Sequence, residues 1–380
     1  MKSSLGLLLM LVVGSEAESL SEALKQTKVE GYIRGTYQHH DVKEDRVYKD
    51  DAIGGKLHLE TGKLGGISVG ASLYTSYALF HDDNRGLIPL RGDSHKSYSI
   101  LGEAYIKATF AKNLLTVGLQ EIETPFAQVD DIGMVPNSFE AVMFQSQMVQ
   151  NTTLTMGHIV KMAGVDAPIV DTFSNINEDR GMQLVGIAYE GIEDLTLQAW
   201  YYNLDKAELD SIIFLESDYE KSIDNIAYGF GLQYAKEGYS VGADANVYGV
   251  TASLMAQNIG LTVRGAYTEV KDNGANSGFG GGAFYSNSEY LILDNAGANG
   301  KATWYGVEYE ASDSLEGLTV GLGRVTLENS DKAKATEVDL VLSYEMSDAF
   351  EVHAIASNLK GTNVGEDDAK HLRIFANYNF

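Results

Sequence analysis

Polarity that alternates at every second residue, in runs of about ten, restricts this chain more than any other feature. The last run, His371-Leu-Arg-Ile-Phe-Ala-Asn-Tyr-Asn-Phe380, carries it most clearly. Leu372, Ile374, Ala376, Tyr378 and Phe380 share one face of an extended strand, and His371, Arg373, Phe375, Asn377 and Asn379 share the other. A strand turns successive side chains to opposite faces, so one face is apolar and ends in aromatics while the other is mostly polar. Lipid outside and water inside suit such a strand; so does the closing strand of a soluble sandwich. The choice between them rests on the rest of the chain.

Similar runs fill most of the sequence. Val29, Gly31, Ile33, Gly35 and Tyr37 alternate against Lys28, Glu30, Tyr32, Arg34 and Thr36 in the first. Further strands are expected at Ala52–Gly62, Ile67–Tyr77, Ile100–Phe110, Leu114–Gln120, Ala141–Gln150, Thr152–Met162, Gly181–Glu190 and Leu195–Asn203. Ile226–Ala235, Tyr239–Val247, Tyr248–Ala256, Leu261–Val270, Trp304–Ala311, Leu318–Leu327, Thr336–Glu345, Phe350–Asn358 and His371–Phe380 follow. The expected fold is all-β, a transmembrane antiparallel β-barrel of about 18 strands. Short turns take every second junction. Ala78–Ser99, Glu121–Glu140, Ala163–Arg180, Leu204–Asn225 (in which Ile212–Leu215 reads alternatively as another strand), Lys271–Thr303 and Leu359–Lys370 make long polar connections at most of the others. A soluble sandwich has no reason for that rhythm, whereas a barrel with short periplasmic turns and long outer loops requires it. Charges such as Lys56, His58, Glu60, Glu103 and Asp339 fall on the polar face and are expected to line an aqueous lumen rather than a packed core.

The ends and the composition agree. Met1-Lys2, the apolar Leu5–Val13 and Ser15-Glu16-Ala17 read as a signal peptide over residues 1–17, cleaved after Ala17. Residues 18–27 form a short periplasmic segment and 28–380 the barrel. The chain has 40 Gly, 22 Tyr, 4 Pro and no Cys, so it carries neither disulfides nor thiol-ligated metal. No uninterrupted apolar segment is long enough for a membrane helix. A net charge of -25 argues against nucleic acid, which needs a basic surface.

Two stretches and the barrel end carry a family resemblance. Gly118-Leu119-Gln120, Thr124-Pro125, Asp130-Asp131 and Val135-Pro136-Asn137-Ser138-Phe139 resemble the OprD family of outer-membrane porins, in particular its short members from epsilon-class proteobacteria. Leu20–Ala23 followed by Gly31-Tyr-Ile-Arg34 looks like the mature N-terminus of the same group. The resemblance implies an outer-membrane location, with lipid around the barrel and small hydrophilic solutes passing through it. The protein would be a monomer or a homotrimer, and its terminal Phe380 would be read by the barrel-assembly machinery. It further implies that the third outer loop, Glu121–Glu140, folds into the lumen. The departures are Leu119 and Ile132-Gly133, where the family commonly has arginine, so its preference for carboxylate-bearing solutes is not carried over.

Electrostatics then suggests a different selectivity. Glu121, Glu123, Asp130, Asp131 and Glu140 would crowd the constriction, with Arg34, Lys107, Arg264 and Arg373 as an opposing basic wall. Fixed charge of one sign at a narrow point concentrates counter-ions, which predicts a cation-preferring diffusion pore without cofactor. A barrel hydrolase and a surface adhesin using Lys271–Thr303 are the alternatives. For the first, the sequence offers His95-Lys96-Ser97, His39-His40-Asp41 and His81-Asp82-Asp83. Asp82-Asp83-Asn84 or Asp130-Asp131 could hold a loosely bound divalent cation through oxygen ligands. Gly278-Phe-Gly-Gly-Gly282 lacks the strand-to-helix setting of a phosphate-binding loop and is read as flexibility.

Overall fold

The structure, a computed structural model, describes residues 17–43, 47–80, 96–311, 315–361, 364 and 367–380. Residues 1–16 of the expected signal segment, the 81–84 cluster and His95 lie outside these. Nineteen strands form one antiparallel sheet: β1 Lys28–Val42, β2 Val47–Glu60, β3 Ile67–Ala78, β4 Tyr98–Phe110, β5 Asn113–Gln120, β6 Ser138–Ser146, β7 Thr152–Ala163, β8 Ser174–Asn175 and β9 Met182–Ile192. Then come β10 Leu195–Asn203, β11 Leu209–Ile223, β12 Ile226–Tyr239, β13 Ala245–Ala256, β14 Leu261–Asp272, β15 Lys301–Glu310, β16 Leu318–Glu328, β17 Lys334–Ser347, β18 Phe350–Lys360 and β19 Ala369–Asn379. β1 pairs with both β2 and β19, which closes the sheet, as Arg34 opposite Gly54 on one side and Asn377 on the other illustrates. The two-residue β8 only pairs with the end of β7, continuing the ladder that β7 makes with β9. The barrel therefore has 18 full strands.

Closure leaves no sheet edge, so every strand satisfies its backbone polar groups in the ladder, as a lipid setting demands. The alternation follows. Val29 and Ile33 on β1 are 55% and 52% exposed while Arg34 is 4% exposed. On β19, Arg373, Phe375 and Asn377 are buried and Tyr378 and Phe380 face out. At one barrel end the connections are short; Ala17, the first described residue, lies there against Lys63, and β19 ends there. The six-residue helix α1, Leu20–Lys25, is capped by Ser19 and tied to the β2–β3 turn by the Gly62 amide, which donates to the Ala23 carbonyl.

Strand ends shift by several residues in places, and two assignments differ outright, cancelling in the strand count. Leu204–Asn225 is not a long loop; it contains β11, leaving only 204–208 as the connection. Tyr239–Val247 is not a separate strand; it spans the end of β12, a tight turn and the start of β13. A third difference is chemical. Much of the interior face is apolar, including Met182, Leu184, Trp200, Ile212, Phe214, Val325 and Leu327. These pack in one cluster with Phe126 of the 121–137 segment and Leu291 and Leu293 of the 273–300 segment. Part of the barrel thus holds a core, because these segments bring their own apolar side chains to the wall.

Candidate functional site

The 121–137 segment leaves β5 with Gln120 donating to the Ala141 carbonyl at 3.1 Å. It then bonds to two well-separated parts of the wall. On the β1–β3 side, Arg34 Nη2 meets Asp131 at 2.7 Å, and its Nη1 donates to the Gly133 carbonyl at 2.7 Å. Lys56 Nζ reaches Glu121 at 2.9 Å, and the Tyr74 hydroxyl donates to the same carboxylate. Met134 and Val135 are buried against Ala52, Tyr74 and Ile100. On the β10–β11 side, the fully buried Phe126 lies edge-on to Tyr202 and Phe214, with both ring centroids 5.6 Å away.

A second segment, 273–300, meets the first. The Gln128 amide donates to the Phe279 carbonyl and the Phe279 amide to the Phe126 carbonyl, at 3.0 and 2.9 Å. Gly278 and Gly280 hold positive φ there, and a Cβ on either would lie within 2.7 Å of the carbonyls of Phe126 and Gln128. Glycine is needed at this crossing for the close approach, not for flexibility. The segment is anchored by interior carboxylates: Glu337 accepts from the Tyr290 and Leu291 amides, Asp339 from the Ser288 hydroxyl at 2.6 Å, and Asp218 from the Tyr285 hydroxyl at 2.8 Å.

The acidic residues named from the sequence fall into three settings. Glu121 and Asp131 bind Lys56 and Arg34. Asp130 accepts from the Gly281 amide at 3.2 Å and pairs with Asp166; burial and that neighbour push its carboxyl up to about 7. Burial also raises Glu123. Glu140 lies in β6, on the face opposite Phe139 and Ala141, paired with Lys161 at 2.8 Å. Asp130 and Asp131 thus face different partners.

Of the basic residues, Arg34 joins the 121–137 segment directly. Lys107 pairs with Glu60 at 2.7 Å. Arg264 donates to the Tyr285 carbonyl at 2.6 Å and lies over the Trp304 ring, and Arg373 pairs with Glu289. The last two therefore meet the 273–300 segment. Lys56 was absent from the expected basic group although its alternation with Leu57 marked it as interior; it bridges Glu121 and Glu103, 3.1 Å away. His40 contacts the rings of His371 and Tyr290, while its neighbour Asp41 points to the other face.

The comparisons specify the class to which this closed barrel belongs. The family model described as "outer membrane porin, OprD family" matches residues 61–299. The chain belongs to that family: it is an outer-membrane porin, a channel for small solutes rather than an enzyme. Among solved structures, Acinetobacter baumannii OccAB4 superposes with a TM-score of 0.79 at 17% identity, covering 93% of this chain and 98% of that one. Pseudomonas aeruginosa OccK8 (OprE) gives 0.78 at 16%, covering 94% and 99%. Pseudomonas aeruginosa OccK5 (OpdH) gives 0.78 at 18%, covering 94% and 99%. No curated protein matches the chain.

Proposed function

We propose that this porin is a cation-preferring, weakly selective diffusion channel, narrowed where the 121–137 segment crosses its lumen and 273–300 packs beside it. One observation carries the crossing. A single segment bonds to Arg34 and Lys56 on β1 and β2 and also packs on Tyr202 and Phe214 of β10 and β11, nearly half the 18-strand circuit away. Interior carboxylates support the ion preference: besides Glu121 and Asp131, Glu60, Glu103, Asp218, Asp339 and Glu351 face inward, against Arg34, Lys56, Lys107, Arg264 and Arg373. Excess negative charge in a narrow, weakly screened passage raises the local cation concentration. Tyr378 and Phe380, exposed on the outer face of β19, support recognition of the closing strand by the barrel-assembly machinery.

The test is the reversal potential of the purified porin in a planar bilayer under a potassium chloride gradient. Its sign is expected to report potassium over chloride; chloride preference would overturn the reading.

Acidity should modulate the preference. Asp130 is raised from its ordinary value of 3.8 to about 7, so its contribution to stability is full below pH 4 and is lost as pH rises through 7. Above 7 Asp130 carries a charge that it lacks below 7. The potassium-to-chloride permeability ratio should therefore rise between pH 6 and 8, and Asp130→Asn should make that step smaller. A ratio independent of pH in the parent channel would count against the assignment.

A further inference from the structure

Arg324 is an isolated cation on the outer face of the wall. On β16 it alternates with the buried Val325 and shares its face with Leu322, which is 50% exposed. Its cross-strand neighbours are Tyr305, 53% exposed, and Val338. Among the described residues no carboxylate lies within ion-pair distance of it. An unpaired guanidinium in the lipid-facing belt is unfavourable, least so near the interface, where a long side chain can lift its charge to the headgroups.

Above Arg324 on the same face runs a row of directly paired residues: Glu269, Lys301, Glu328 and Lys334. Lys301 and Lys334 share Glu328 at 2.9 and 3.3 Å, and Lys271 takes Glu269 at 3.0 Å. Glu269, Lys271, Lys301 and Glu328 border, with Lys332 and Asn299, a polar cleft of about 440 Å³, and Lys334 stands beside it through Glu328. The cleft lies at the barrel end with the long connections, the outer-leaflet side of such barrels. Lys271, Lys301 and Lys332 line it, Lys334 adjoins it and Arg324 lies four residues below Glu328 on the same strand face, five cations on one patch of a chain of net charge -25. Glu269, Glu328, Asp272 and the turn residue Asp331 offset them only in part.

We propose that this cleft binds the phosphate headgroup of an anionic outer-leaflet lipid. Lys301, Lys334 and the lifted Arg324 hold the phosphate, and the acyl chains lie along Tyr305, Leu322 and Leu340. Phosphate offers more charge and more acceptor oxygens than the Glu328 carboxylate, so it competes for both lysines.

The experiment is native mass spectrometry of the delipidated full-length porin with bis-phosphorylated lipid A, dephosphorylated lipid A, and inorganic phosphate as competitor. Bis-phosphorylated lipid A is expected to be retained at least about tenfold more strongly than the dephosphorylated form, since each basic residue adds attraction for anionic lipid. R324Q/K301Q/K334Q should lose that preference. Arg324→Gln alone, which removes no wall ion pair, should weaken it and keeps the test decisive if the triple variant does not fold. Equal retention of the two lipids, or unchanged preference in Arg324→Gln, overturns the proposal. Displacement by inorganic phosphate at matched concentration would mark a free-anion site and overturn it as well.

Discussion

Phe126→Ala is expected to raise single-channel conductance and open-channel noise while leaving the barrel closed. Phe126 is fully buried, edge-on to Tyr202, Phe214 and Phe284, with the farthest of these ring centroids at 5.9 Å. Removing such a ring costs about 3–5 kcal/mol where the surroundings cannot collapse. They cannot here, because three of the four walls of the site are strand or backbone: β10, β11 and the Gly278 crossing. The loss falls on the packing between segment and wall, not on the β-ladder, whose hydrogen bonds are made strand to strand. The 121–137 segment would keep its Asp131 and Glu121 bonds but lose its far anchor. Limited proteolysis should then cleave the segment, while heat-modifiable gel migration still reports a folded barrel. Phe126→Leu, which fills most of the space, should behave nearly as the parent. Unchanged conductance together with a protease-resistant segment in Phe126→Ala would refute the anchor.

That anchor was hard to read from sequence, for a physical reason. Alternation identifies strands when one face meets lipid and the other meets water. It located β1, β3, β14 and β19 because Ile33, Val69, Val263 and Tyr378 are flanked by polar or small interior residues. β11 broke the rule. In Ile212-Ile213-Phe214-Leu215 both faces are apolar, since Ile212 and Phe214 pack inward while Ile213 and Leu215 face out. The lower half of the strand reverses the impression, because Glu216 and Asp218 are interior carboxylates that look like loop residues. Segment 273–300 has no periodicity at all and is rich in Gly, Asn and Ser. Its one legible sign was apolar content, Phe284, Leu291 and Leu293, in what should have been a solvated loop. The acidic 121–137 segment was legible as a loop, but which wall each carboxylate meets depends on tertiary closure. Lys56 and Glu121 lie 65 residues apart, and no local pattern joins them.

Neutralising Glu121 and Asp131 together should shift selectivity more than any other pair of changes. In Glu121→Gln/Asp131→Asn the potassium-to-chloride permeability ratio is expected to fall towards or below unity. Two negative charges leave the narrow region, and Lys56 and Arg34, which they balance, remain. The geometry limits collateral damage. Arg34 keeps bonds to Asn377 Oδ1 at 2.8 Å and to the Gly133 carbonyl, and its ring contacts with Tyr32 and Phe375 persist. Glutamine at 121 can still accept from the Tyr74 hydroxyl. Weakening each of these charged contacts costs about 1–3 kcal/mol, and the cost falls on ion pairs of the segment with β1 and β2 rather than on its Phe126 anchor. Selectivity should thus change without the noise expected of Phe126→Ala, which separates a charge effect from a loosened segment. The shift should also be largest at low salt and shrink as the screening length falls from about 10 Å at 0.1 M to about 3 Å at 1 M. A double variant with the parent's reversal potential at low salt would mean that ions pass elsewhere, along a path these two carboxylates do not reach.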